Sequence, residues 1–205
     1  MASGTVFLVD DNDAFRQSTR WLLESHGLRV SAFKNGKDFL EAYAPSPAGR
    51  KPECLLLDIR MPGLTGLQVH EALVQRNAAV PVIFITAHGD VPLAVEAMRR
   101  GAFDFLEKPF TDDVLVTAIS SALARDDEQM SRDREATNAR SRLDALTPRE
   151  RQVLDLVIEG ALNKTIADKL GISIKTVELH RSRVMEKMHA QSLAQLIQMT
   201  VRARG

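Results

Sequence analysis

Residues 5–125 alternate between two textures. Short apolar runs fall at about 5–10, 28–33, 53–58, 80–86 and 103–106, and segments of helical period fall near 13–25, 36–43, 65–76, 90–100 and 111–124. In the first periodic segment Phe15, Thr19, Leu22 and Leu23 recur at spacings of three and four, leaving Arg16, Arg20 and Glu24 for the other side, and Gly27 offers a C-cap. The central runs show no strict polar alternation, as strands buried on both faces require. Five strand–helix repeats of this kind predict an α/β domain, a doubly wound five-stranded parallel sheet with helices on both faces.

The texture changes after residue 125. Residues 125–142 are rich in charge, contain neither Pro nor Gly, and read as a polar extension of the fifth helix, a partly helical linker or a flexible tether. From 143 the punctuation is helical throughout. Thr147-Pro148-Arg149-Glu150 offers an N-cap, a proline at the first helical position and a capping-box glutamate, for a helix running to Glu159 with Gly160 ending it. Asn163 is the expected cap of a second helix, Lys164 to Leu170, stopped by Gly171; Ser173 caps a third through about Met188; Ser192–Val201 carries a fourth apolar pattern. Four short helices predict a smaller all-α domain, and the second and third have helix-turn-helix spacing. The expected division is 1–125, a linker over 126–142, and 143–205.

Composition changes this picture little. The chain of 205 residues, 44% apolar and 26% charged, suits a soluble globular protein, and no apolar run approaches bilayer length. The N-terminus shows no signal peptide, and the single cysteine, Cys54, reads as a core thiol, so cytoplasmic residence is expected. Net charge is zero, but residues 142–205 carry 7 acids and 11 bases, a net +4 compatible with nucleic-acid binding.

Candidate chemistry gathers at strand ends. The run Glu53–Leu57 stops at Asp58, and the run Val6–Val9 stops at Asp10-Asp11. If those strands are neighbours, three carboxylates converge at one sheet edge, which is costly unless a positive charge joins them. A hard divalent cation such as Mg²⁺ answers that need. In the third C-terminal helix, Val177, Val184 and Met188 form a narrow apolar sector with Ile174, His180 and Arg181 on its shoulders, while Lys175, Leu179, Ser182 and Glu186 point away, flanked by Glu178 and Arg183. A helix entering a major groove presents its early residues to the bases, so Lys175, Glu178, Leu179 and Ser182 are groove candidates. Lys164, Thr176, Arg181 and Arg183 suit phosphate contact or register.

Residues 5–125 resemble the receiver domain of two-component response regulators, through Asp10-Asp11, Asp58 followed by Arg60-Met61-Pro62-Gly63, Ile85-Thr86-Ala87-His88, and Gly101 to Phe110 with Lys108-Pro109. Residues 143–201 resemble the LuxR/NarL/FixJ-type DNA-binding domain, through Leu146–Leu154, Asn163–Ala167 and Ile174–Arg181. The order is that of FixJ-like regulators. The resemblance implies a sheet of flavodoxin-like order 2-1-3-4-5 and Asp58 as phosphoacceptor. It implies Mg²⁺ held by Asp11, Asp58 and the backbone carbonyl of Arg60, with Asp10 acting largely through water. Lys108, before a cis-proline candidate, would pair with carboxylate or phosphoryl oxygen; Thr86 and Phe105 would be the switch pair, Phe105 through packing alone. It further implies a sensor histidine kinase as donor, homodimerisation through the helix 4–strand 5–helix 5 surface with Arg99 and Arg100 reaching Asp104, Asp112 or Asp113, promoter DNA, and RNA polymerase contacted by an activator. No membrane partner is expected, and the chain reads as a phosphoacceptor switch rather than a conventional enzyme. His88 is expected in loop packing or tuning near the phosphate. The competing reading is an adaptor whose helical tail binds a protein partner; Glu178 and Glu186, which weaken the basic face, are its support.

Overall fold

A computed structural model describes residues 4–44, 50–87 and 91–204. The chain divides into two compact units, Met1–Met130 and Ser131–Gly205. The first holds β1 (Thr5–Val9), α1 (Asp13–Ser25), β2 (Arg29–Phe33), α2 (Gly36–Ala42), β3 (Glu53–Asp58), α3 (Gly66–Gln75), β4 (Val82–Thr86), α4 (Val91–Arg99), β5 (Asp104–Glu107) and the start of α5 (Asp112–Asp144). The strands pair in parallel in the order β2-β1-β3-β4-β5. That is the expected doubly wound order.

Burial explains the texture of the strands. Every residue of β3 and β4 is buried, because helices cover both faces of the sheet centre. The edge strand β2 is only partly covered. On one face Val6, Leu8, Cys54, Leu56, Ile83 and Ile85 pack with Leu23 of α1 and Leu115, Ile119 and Leu123 of α5. On the other, Leu55, Leu57 and Phe84 pack with Phe39 of α2, Val69 and Leu73 of α3 and Ala97 of α4. The order reverses beside β1, whose neighbours are β2 on one side and β3 on the other. A parallel sheet opens a crevice at the carboxyl ends of its strands where this happens.

Local punctuation agrees with this layout, with small shifts. Asn12 caps α1 through a bond from Phe15 N, and His26 is its C-cap, one residue before Gly27, which takes φ +80°. The fifth helix is longer than its apolar period: it continues without a break to Asp144. No Pro or Gly interrupts it. The polar extension is therefore helix, and Asp126, 1% exposed, fastens its receiver part: Arg50 Nη2 donates to Asp126 Oδ1 at 2.8 Å and Glu53 N to Asp126 Oδ2 at 2.8 Å.

In the second unit, the end of α5 supplies Ala139 and Leu143 to a core with α6 (Pro148–Ile158), α7 (Asn163–Leu170), α8 (Ile174–Met188) and α9 (Leu193–Arg204). The capping box forms as expected: Glu150 N donates to Thr147 Oγ1 at 3.3 Å and Thr147 N to Glu150 Oε2 at 2.8 Å. Ser173 caps α8. The expectation for α7 is corrected. Leu162 occupies the cap and Asn163 is the first helical residue, its amide oxygen taken by Arg181 Nη1 at 3.0 Å, so α7 starts without a side-chain cap. Gly171, at φ +64°, makes the left-handed turn into α8 that a side chain would strain. Among the described residues no helix is long and apolar enough to cross a membrane.

Candidate phosphoacceptor pocket and recognition helix

β1 and β3 run side by side with Val9 opposite Leu57, so the residues that follow each strand's apolar run meet at one edge. Carboxylate oxygens of Asp10, Asp11 and Asp58 lie within 4.8 Å of one another. Their environments differ. Asp10 is fully buried, Asp58 nearly so, and Asp11 is exposed. Asp10 Oδ1 accepts from Asn12 N at 2.8 Å and Oδ2 from Lys108 Nζ at 2.7 Å. Lys108 Nζ stands 4.0 Å from Asp58 Oδ2, and Arg60 N donates to Asp58 Oδ1 at 3.3 Å.

The electrostatics follow from this crowding. Burial pushes the Asp58 carboxyl up; Lys108 and the Arg60 amide pull it back, while Asp10 and Asp11 push it further. Three acids against one lysine leave a negative excess. Oxygen donors at this spacing, with Asp11 open to solvent, fit Mg²⁺.

Neighbouring elements close the pocket. Thr86, the last residue of β4, is buried, and its carbonyl accepts from Lys108 N at 2.7 Å; the Lys108–Pro109 bond is cis. Phe105 is half-buried and packs against the α2–α3–α4 core. Arg60 is exposed. His88 lies outside the described residues. Val95 and Met98 on α4 and Val114 on α5 are exposed apolar side chains. Arg100 pairs inside the chain with Glu96 and Glu71.

Several residues of the pocket carry no motif-level signal. Arg16 Nη1 donates to the Asp10 carbonyl at 2.6 Å and Arg16 also pairs with Asp13. Phe15 lies beneath Lys108, whose Nζ sits 3.7 Å from the ring centroid. At Gly66 a Cβ would lie 2.4 Å from the Asp58 carbonyl oxygen, so only glycine lets α3 begin against the end of β3. Sequence reasoning missed Asn12 as well, although an Asn directly before a helical segment is a cap signal; the others reach the site only through the fold.

On α8, Val177, Val184 and Met188 are buried while Lys175, Glu178, Leu179, Ser182 and Arg183 are exposed, as the wheel requires. Thr176 is half-buried, its hydroxyl 2.8 Å from Ser173 Oγ, and Arg181 is turned to Asn163. Lys164 is exposed on α7. Nearby, buried Glu150 joins α6 to α8: Lys187 Nζ donates to Glu150 Oε2 at 2.7 Å.

A carboxylate cluster at the switch point of a five-stranded parallel sheet, joined in one chain to a helix-turn-helix bundle, defines a response regulator. The chain matches the response regulator receiver domain over residues 6–120 and the luxR family of bacterial regulatory proteins over residues 144–200, and it belongs to this family. It is 46% identical over 198 residues to the transcriptional regulatory protein FixJ of Azorhizobium caulinodans, covering 97% of this chain and 92% of that one. With the tetrathionate response regulatory protein TtrR of Salmonella typhimurium it shares 45% over 193 residues, 94% of this chain and 90% of the relative. Among solved structures, the response regulator StyR is 40% identical with a TM-score of 0.84, covering 98% of this chain and all of that one. Full-length FixJ from B. japonicum is 40% identical with a TM-score of 0.60, covering 100% and 98%. The chain is thus a phosphorylation-dependent transcriptional regulator that works with a cognate kinase and DNA, a switch rather than a classical catalytic enzyme.

Proposed function

We propose that Asp58 is the phosphoacceptor of a receiver spanning 1–125, that residues 126–142 link it, and that 143–205 bind promoter DNA as a dimer. The observation that carries this reading is the meeting of Asp10, Asp11, Asp58 and Lys108 at the carboxyl ends of β1, β3 and β5. A carboxylate there attacks the phosphorus of a kinase phosphohistidine; the P–N bond breaks, the ring nitrogen keeps the electron pair, and an acyl phosphate forms. Asp10, Asp11, Asp58 and the Arg60 carbonyl would hold Mg²⁺, and a bound divalent cation neutralises carboxylate and phosphoryl charge together. Lys108 supplies the remaining positive charge, and the Thr86 hydroxyl accepts the role of donor to a phosphoryl oxygen, with Phe105 repacking as it moves.

Dimerisation through α4, β5 and α5 pairs two recognition helices, and two half-sites add affinity and selectivity. Lys175, Glu178, Leu179 and Ser182 face the groove; Lys164, Thr176, Arg181 and Arg183 set register on the phosphates, Arg181 after leaving or through Asn163. The dimer activates transcription by touching RNA polymerase.

The test is promoter affinity with and without acetyl phosphate and Mg²⁺. Wild type tightens when the donor is added, and Asp58→Ala does not. Equal tightening in both would sink the coupling.

A further inference from the structure

Lys108 is held from a side that the carboxylates do not explain. Its ammonium has three donors, one given to Asp10 Oδ2 at 2.7 Å. Asp58 Oδ2 stands at 4.0 Å, outside hydrogen-bond range. Beneath the ammonium lies the Phe15 ring, its centroid 3.7 Å from Nζ. Phe15 is itself fixed: it sits on the first turn of α1, packs against the α1–α5 core, and meets Phe110 in a T-shaped contact, 6.1 Å between centroids and 81° between planes. The same turn holds Asp10 through Asn12 N and Arg16. The face of an aromatic ring attracts a cation and offers it no hydrogen bond, so it restrains an ammonium without occupying its donors.

We propose that Phe15 is a positioning residue for phosphoryl transfer: its ring holds the Lys108 ammonium between Asp10 and Asp58, with donors free for an incoming phosphoryl oxygen. The proposal rests on the reading of Asp58 and Lys108 above. A lysine on a flexible four-carbon stem, its side chain 20% exposed, otherwise exchanges this place for solvent. Held over the ring, it is in place before charge develops, which is when a preorganised donor is most effective. In the reaction with acetyl phosphate, an Asp58 oxygen bonds to phosphorus, the bond from phosphorus to the acetyl oxygen breaks, and acetate leaves with the electron pair; Lys108 keeps its proton throughout.

The experiment uses the full chain with Phe15 replaced by phenylalanines bearing one, two or three ring fluorines, which keep the ring's shape while weakening the negative potential of its face. Two quantities are read: the initial rate of phosphoryl uptake from acetyl phosphate with Mg²⁺, and, in metal-free protein labelled with ¹³C-lysine, the shift of the Lys108 ε-methylene, assigned with Lys108→Arg. The expected result is a rate that falls in step with fluorination, by about threefold to tenfold at the end of the series, and an ε-methylene signal that loses its ring-current shift in Phe15→Leu. A rate that stays flat across the fluorinated series, or an ε-methylene shift unchanged in Phe15→Leu, overturns the proposal and leaves Phe15 as packing for Phe110. Asp58→Asn is measured beside them. Uptake that survives in it overturns the phosphoacceptor reading instead, whereas uptake lost in it with a flat series overturns only the role of Phe15.

Discussion

Two lysine–carboxylate bonds among the described residues have the same length and opposite character. Lys108 bonds Asp10 and Lys187 bonds Glu150, each at 2.7 Å, and each carboxylate is almost wholly withdrawn from water. Around Glu150 the charges balance. Its second task is the capping box at Thr147, so the pair also satisfies the first turn of α6. Around Asp10 they do not, because Asp11 and Asp58 crowd the same carboxylate. A closed pair fastens two helices, whereas an open one with surplus negative charge calls for a cation and changes when a phosphoryl group arrives. What separates a fastener from a switch is the charge left over after the bond is made.

The largest effect expected is at the open pair. Asp58→Ala should abolish stable phosphoryl uptake, read by mass spectrometry of the intact chain, with the circular dichroism spectrum unchanged. Uptake persisting there would mean that the surplus charge is not the reactive feature. At the closed pair, Glu150→Ala removes the acceptor of the Thr147 amide and the partner of Lys187 together and should destabilise the C-terminal unit by about 2 kcal/mol in urea unfolding. A loss below about 0.5 kcal/mol would show that the bond fastens nothing.

Acid should act on the closed pair more gently. Burial pushes the Glu150 carboxyl up, but the Lys187 ammonium and the Thr147 bonds outweigh it and hold it at about 2, against 4.5 when exposed. A carboxyl depressed on folding contributes stability that is complete above 4.5 and is lost as pH falls towards about 2. Glu150→Gln should therefore flatten the decline in C-terminal stability across that window; an identical decline in both proteins would assign it to other groups. The smallest effect on folding is expected on the exposed face of α8. Leu179→Ala should change stability by less than about 0.5 kcal/mol while weakening specific promoter binding by about 1 kcal/mol, read by fluorescence anisotropy on matched and scrambled fragments.

Much of this is legible in the sequence. The unbroken apolar runs of β3 and β4 announced strands buried on both faces, and the capping box at Thr147 and the stripe Val177, Val184, Met188 lie where their spacing put them. Asn163 misled because caps are read from residue type, yet the backbone enters the helix one residue earlier and Arg181 claims the side chain. The span of α5 was left open because its polar middle has no apolar period, and only the absence of helix breakers spoke for it.

Local pattern and residue chemistry, acting over a few neighbours, determined the strands, the helices, most caps and the acids that end β1 and β3. Contacts between residues far apart in the chain required the tertiary structure: Phe15 beneath Lys108, Asp126 clasped by Arg50 from 76 positions away, and α3 starting against the Asp58 carbonyl where Gly66 leaves room. Periodicity records which face of an element is buried. Which distant side chain meets it there depends on how the layers pack, and no local spacing encodes that.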